Sequence, residues 1–360
     1  MPFRSYNASR AVDAHTPGRE TPNVGPGATG PPALDVEARL DALRRVVGPP
    51  APEDREAAGA LEDLAVAARA ALAGGIAACR FYGGELQIRD KGEDDPVTAA
   101  DHAADAAILD VLGRLRPADP VLSEERRPPA DRGAHGRLWV VDPLDGTKEF
   151  IAENGEFSIM VGLAGHGCAL LGAVYQPATD RLFAGLAAGG AWVVAGAPHG
   201  PRAHALDLAE RPERRGPLRF VRSRSHPDER LRRFADALGD IEEVISGSVG
   251  IKCALVAQGL ADLYVHPVPF LKEWDTCAPE AVLRGAGGTV TDCAGGPLGY
   301  GKADPVQPYG IFAATEAARR IARPILREVV RGWIDPGVAD GDDEPRVAWH
   351  RRADDQDPRK

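Results

Sequence analysis

The segment Leu138-Trp-Val-Val-Asp142-Pro-Leu-Asp145-Gly-Thr147 restricts the fold more than any other stretch of the chain. Its apolar run predicts a short buried strand, and that strand leads directly into two carboxylates three residues apart. The spacing predicts that the strand ends at Asp142, that Pro143 turns the chain, and that Asp145 faces back toward the same point. Two carboxylates so placed can share or bridge hard divalent cations, which prefer oxygen ligands. Gly146 and Thr147 would then open a helix whose first amides point at an anion. The competing reading is a tight Asp-Gly turn with Thr147 as a helix cap. The complete Asp-Pro-x-Asp-Gly-Thr string after an apolar strand is far more specific than an isolated Asp-Gly pair.

Three further acids invite the same question, each with an ordinary alternative. Thr98-Ala-Ala-Asp101 fits a capping box, in which the acid only satisfies a helix terminus. Glu124, in Val121-Leu-Ser-Glu-Glu125, reads equally as a solvated loop acid, and Asp275 reads by itself as a helix N-cap after Trp274. Order and spacing along the chain, rather than any acid alone, mark Asp101, Glu124, Asp142, Asp145 and Asp275 as one constellation.

The 360 residues carry 43 Lys and Arg against 53 Asp and Glu, a formal charge of -10. That balance argues against a binder of nucleic-acid polymers, which needs a basic face. An anionic substrate would need local cations, and bound metal is the evident source. Five widely spaced cysteines, Cys79, Cys168, Cys253, Cys277 and Cys293, form no CxxC pair and suggest neither a disulfide framework nor a zinc site. With no signal-type apolar stretch at the N-terminus and no run of membrane-spanning length, a soluble cytoplasmic protein without integral membrane contact is expected.

Residues 1–55, rich in Pro, Gly, Ala and charge, read as a disordered extension, apart from a short helix around 34–47 with Leu34, Val36, Leu40, Leu43 and Val47 on one face. Residues 335–360 read as a disordered charged tail. Between them the pattern is mixed. Helices are expected over 61–80, from Thr98 to Pro117, near 228–238, over 249–260 and from Asp275 to Arg284. An antiparallel meander is expected at 157–164, 168–176, 181–186 and 191–195, with later strands at 218–221, 261–266 and 289–291. These divide the chain into an N-terminal lobe, 56–200, and a C-terminal α/β lobe, 201–334.

Read together, Asp95-Pro-Val-Thr-Ala-Ala-Asp101, Ser123-Glu-Glu125, Trp139-Val-Val-Asp-Pro-Leu-Asp-Gly-Thr-Lys-Glu-Phe150 and Trp274-Asp-Thr-Cys-Ala-Pro279 resemble the signature set of the inositol-monophosphatase superfamily over about residues 60–315. Lys148-Glu-Phe150, Lys272-Glu-Trp-Asp-Thr-Cys-Ala-Pro-Glu280, and Ser246-Gly-Ser248 with Lys252 resemble its 3'(2'),5'-bisphosphate nucleotidase branch. The resemblance implies an α+β fold, a layered α-β-α-β-α sandwich of the sugar-phosphatase type with two lobes. It implies that Glu124, Asp142 and the Leu144 carbonyl hold one Mg2+, and that Asp142, Asp145 and Asp275 hold a second. Asp101 and Thr147 would orient or activate water, with room for a weaker third ion, while the Gly146 and Thr147 amides take phosphate. His226, Ser248 and Lys252 match positions near the nucleotide. The implied activity is Mg2+-dependent hydrolysis of adenosine 3',5'-bisphosphate to AMP and phosphate, with the 3'-phosphorylated sulfate donor as a second substrate. An inositol or sugar phosphatase with the same metal core is the nearest alternative. A catalytically silent phosphate-binding regulator is the alternative of another class, and a homodimer is left open.

Overall fold

The computed structural model describes residues 34–51, 53–84, 89–90, 96–128, 136–197, 199–210, 216–225, 228–267 and 270–330. The 335–360 tail, Asp95 and His226 lie outside them. Two helices open the described chain, α1 (Val36–Val47) and α2 (Arg55–Cys79), followed by a two-residue strand pair, β1 (Arg89–Asp90) and β2 (Pro96–Val97), and by α3 (Ala99–Leu115). Seven strands then form one sheet in chain order: β3 (Val121–Ser123), β4 (Arg137–Asp145), β5 (Ser158–Gly165), β6 (Cys168–Gln176), β7 (Arg181–Leu186), β8 (Gly190–Ala195) and β9 (Arg202–Leu206). The short helix α4 (Thr147–Ile151) lies between β4 and β5. The expected meander is β5 to β8, and it continues into β9.

The second sheet holds β10 (Leu218–Ser223), β11 (Ile241–Ser246), β12 (Leu263–His266), β13 (Thr289–Thr291) and β14 (Ile311–Ala314), in the order β11-β10-β12-β14-β13. Around it run α5 (Glu229–Leu238), α6 (Val249–Ala257), α7 (Glu273–Gly285) and α8 (Glu316–Val330). One apolar cluster lies between α2, α3 and the first sheet, a second between the two sheets around α6 and α7, and a third beneath α5 and α8. Helix, sheet, helix, sheet, helix is the layered sandwich implied by the motifs. No helix among the described residues is long and apolar enough to cross a membrane, and all five cysteines are free thiols.

Three glycines explain how closely the middle layer approaches the first sheet. Gly162, Gly172 and Gly185 are register partners on β5, β6 and β7, forming a row without side chains. A Cβ at Gly172 would lie 2.5 Å from the Ala278 main chain, and one at Gly185 2.6 Å from Val282 Cα. The row is therefore a trough that admits α7 at backbone distance, which is how a helix from the second half brings Asp275 to the end of β4.

The 1–55 extension is not wholly outside the folded unit. Helix α1 buries Leu40 and Leu43, and Arg39 pairs with Asp180 after β6. Its amphipathic face is the physical reason, since that stripe covers apolar surface that β8, β9 and α2 would otherwise expose.

Candidate active site

Alternation along a strand would put residues three apart on opposite faces. The ladder instead runs past Pro143 to Asp145, with Asp142 paired to Met160 and Asp145 to Ser158, so one extra residue is accommodated between them. This bulge, rather than a turn ending the strand at Asp142, brings both carboxylates to the same side. Helix α7 supplies the third acid. Asp142, Asp145 and Asp275 offer carboxylate oxygens within 4.8 Å of one another.

One oxygen of each acid is anchored. Asp142 Oδ1 accepts the Leu144 amide at 3.0 Å. Asp145 Oδ2 accepts the Ser248 hydroxyl and the Gly250 amide, the latter at 2.9 Å. Asp275 Oδ2 accepts the Lys272 amide, so Asp275 sits in the first turn of α7 and closes back on its cap instead of being the cap. The second oxygen of each is the available ligand atom.

Burial pushes the carboxyls of Asp142 and Asp275 well above the usual 3.8. For Asp142 the charges of Glu124, Asp145 and Asp275 add to the effect, and for Asp275 those of Asp145 and Glu124. Asp145 is also raised by burial, against the opposing pull of the Lys252 charge and the Ser248 hydrogen bond. Crowded buried acids of this kind are relieved by a hard divalent cation, and the all-oxygen donor set fits Mg2+. Glu124 lies outside the 4.8 Å group. Parallel pairing of β3 with β4 puts it at the adjoining strand end, its amide donating to the Val141 carbonyl at 3.2 Å.

Asp101 caps α3 and reaches Thr147 with the same carboxylate. Its Oδ2 accepts the Thr98 amide at 2.8 Å and the Thr98 hydroxyl at 2.7 Å, which caps α3. Its Oδ1 accepts the Thr147 hydroxyl at 3.1 Å. Gly146 has φ of 98°, and a Cβ there would lie 3.0 Å from the Glu156 carbonyl, so glycine is required at this turn.

The proposed nucleotide contacts divide. Ser248 caps α6 and turns its hydroxyl to Asp145 and Ser158. Lys252 is buried, with Nζ 5.3 Å from the Tyr264 ring centroid. Burial lowers its pKa while Asp145 and Glu149 act in the opposite sense. Sequence reading missed Ser158 and Gly250, which hold Asp145, and Glu156, whose only local signal is the turn Asn154-Gly-Glu-Phe157. It also left Glu149 without a role.

A family model, the inositol monophosphatase family, matches residues 60–329. The 3'(2'),5'-bisphosphate nucleotidase CysQ of Escherichia coli (strain K12) is 42% identical over 229 residues, 63% of this chain and 89% of that protein. The 3'-phosphoadenosine 5'-phosphate phosphatase of Mycobacterium leprae (strain TN) is 32% identical over 288 residues, 78% of this chain and 97% of that one. Among solved structures, CysQ from Bacteroides thetaiotaomicron is similar with a TM-score of 0.61 at 33% identity, covering 71% of this chain and 98% of that one. With its three-acid cluster, its layered sandwich and a family match over most of its length, this chain belongs to the inositol monophosphatase family.

Proposed function

We infer that this chain is a Mg2+-dependent 3'(2'),5'-bisphosphate nucleotidase that hydrolyses adenosine 3',5'-bisphosphate to AMP and phosphate, with 3'-phosphoadenylyl sulfate as a second substrate. The observation that carries the reading is the convergence of Asp142, Asp145 and Asp275 beside the Thr147–Asp101 pair. The names of the nucleotidase relatives support the substrate class. Five free thiols fit a cytoplasmic enzyme.

Glu124, Asp142 and the Leu144 carbonyl would hold one ion and Asp142, Asp145 and Asp275 a second, with a weaker third beside Asp101. Mg2+, when bound, supplies positive charge for phosphate oxygens and makes water more acidic. The remaining work belongs to side chains. Thr147 gives its proton to Asp101 or to the Leu144 carbonyl, 3.3 Å away, so the lone pairs of its oxygen are left to accept from an attacking water. Asp101 fixes that orientation because its other oxygen is locked to α3. The Gly146 and Thr147 amides take the phosphate. Lys252, Ser248 and His226 would lie toward the rest of the nucleotide.

Phosphate release from adenosine 3',5'-bisphosphate, inositol monophosphate and fructose bisphosphate, with and without Mg2+, tests this. Fastest Mg2+-dependent release from the adenosine bisphosphate is expected. Preference for inositol monophosphate would leave only the metal-dependent phosphatase, and no release from any of the three would favour a silent phosphate-binding protein.

A further inference from the structure

Glu149 and Glu156 flank the phosphate turn, yet neither has a part in the roles above. Both take donors from the second half of the chain. The Ser225 hydroxyl donates to Glu149. Arg224 donates to Glu156 through Nε at 2.7 Å and Nη2 at 2.6 Å, and the Gly247 amide donates to Glu156 Oε2 at 2.7 Å. Arg224 and Ser225 follow β10 and Gly247 follows β11. Because these strands are parallel, both loops emerge at the same end of the sheet, where the Arg224 amide donates to the Ser246 carbonyl at 3.3 Å.

The Glu156 main chain is equally confined. Its carbonyl lies 3.0 Å from the place of a Cβ on Gly146 and 2.8 Å from that of one on Gly247. Its amide donates to Asn154 Oδ1 at 2.9 Å, and the next residue, Phe157, packs edge-on against Phe150 with centroids 4.8 Å apart. One residue thus touches the phosphate turn and both second-lobe loops.

We propose that Glu156 is a positioning residue for the substrate, its carboxylate setting the loops that begin at Arg224 and at Gly247 against the Gly146-Thr147 turn. This rests on the nucleotidase reading, in which those loops hold the part of the substrate that does not react. A nucleotide needs both loops in register with the turn, whereas a small phosphomonoester needs only the metal core. The competing account is a rim ion pair of little consequence, since the Arg224 side chain is 46% exposed and exposed pairs contribute little. The shared amide of Gly247 and the bidentate geometry argue otherwise, as both are lost together if the carboxylate moves.

Steady-state kinetics of the full chain at saturating Mg2+ decides the matter, with adenosine 3',5'-bisphosphate and p-nitrophenyl phosphate as substrates and Glu156→Gln, Arg224→Gln and the double variant as proteins. Each single variant is expected to raise KM for the bisphosphate so that kcat/KM falls about tenfold or more, with kcat moving much less. The fall on p-nitrophenyl phosphate should be far smaller, and the double variant should lose no more than the worse single one because the pair acts as a unit. Equal losses on both substrates, additive losses in the double variant, or no change on the bisphosphate would each overturn the proposal. If the wild type prefers inositol monophosphate, the nucleotidase reading fails separately. That result overturns the proposal as well, since a small phosphomonoester needs only the metal core, and the wild-type preference alone tells it apart from failure of the positioning role.

Discussion

Asp101 ties helix α3 to the Gly146-Thr147 turn with a single carboxylate: Oδ2 accepts from Thr98 while Oδ1 accepts the Thr147 hydroxyl at 3.1 Å. A group locked by one oxygen can orient a neighbour without moving when substrate arrives, which is how pre-organised sites avoid reorganisation. Thr147→Val keeps shape and removes the hydroxyl. We expect kcat to fall by about a hundredfold or more, with the melting temperature lowered by only about 2–4 °C, the effect of roughly one hydrogen bond. Thr147→Ser should recover much of the activity. A valine variant with near wild-type kcat, measured by phosphate release, would remove Thr147 from the mechanism.

The acid cluster makes the metal-free protein sensitive to pH in a defined sense. Asp142 and Asp275 have folded-state pKa values raised above the usual 3.8, so the folded chain binds more protons than the unfolded one from about pH 4 upward. Stability of the metal-free form should therefore fall as pH rises through that window, and Mg2+ should raise the melting temperature more at neutral than at mildly acidic pH. Asp142→Asn removes one of the repelling charges. Without Mg2+ it should be at least as stable as wild type, while Mg2+-induced stabilisation and turnover collapse. Thermal melts across pH with and without Mg2+ measure both, and a variant that retains the Mg2+ shift would count against Asp142 as a ligand.

The trough under α7 gives a test of how Asp275 reaches the site. Gly172→Ala places a methyl where the Ala278 main chain lies 2.5 Å away, and main chain cannot rotate aside. The helix must shift or the sheet must bend, an overpacking that costs about 1–3 kcal/mol. Because Asp275 rides on that helix, the half-saturating Mg2+ concentration should rise along with the loss of stability. Gly113→Ala, in α3 with nothing within 4 Å of the added methyl, is the control: it should leave the half-saturating Mg2+ concentration unchanged and stability no lower than wild type, since alanine is the better helix former. Equal behaviour of the two variants would show that the trough tolerates side chains.

Helix α1 is expected to contribute to stability although it lies far from the acids in sequence. Leu40 and Leu43 are buried, each contributing about 1.5–3 kcal/mol, and Arg39 closes a part-buried pair with Asp180. Deleting residues 1–50 should lower the melting temperature by about 5–10 °C while leaving KM for substrate nearly unchanged. An unaltered melt would show that α1 is dispensable.

What could be read from the chain follows from the range over which each feature is encoded. Asp142 and Asp145 were legible because strand, bulge and acids lie within nine consecutive residues. Asp101 was ambiguous only because capping and orientation use different oxygens of one carboxylate, and sequence does not distinguish oxygens. Strand β11 was missed since Ile241-Glu-Glu-Val-Ile-Ser246 occupies a sheet edge, where no strict alternation is imposed. The glycine trough required the register of three strands, because Gly162, Gly172 and Gly185 each fall inside an expected strand and nothing local says that they align. Pairs such as Arg39 with Asp180, or Arg224 with Glu156, join residues 141 and 68 positions apart, which no local pattern announces.

Lys252 offers a test that would separate a nucleotide site from a bare metal core. Its amine is buried beside the Tyr264 ring and its pKa is lowered by burial, so an incoming anion would favour the charged form. A second phosphate on the substrate is such an anion. Lys252→Met keeps the length and the contact with Tyr264 but removes the charge. If the amine serves the non-reacting phosphate, kcat/KM for adenosine 3',5'-bisphosphate should fall by about 10- to 150-fold, the range of a charge-assisted hydrogen bond. A monophosphate should lose far less. If the amine serves only to balance Asp145, both substrates should lose equally and the Mg2+ requirement should shift with them, because the ligand rather than the substrate has lost its counter-charge. Measuring both substrates across a Mg2+ titration distinguishes these outcomes, and equal losses would move Lys252 from substrate recognition to the metal centre.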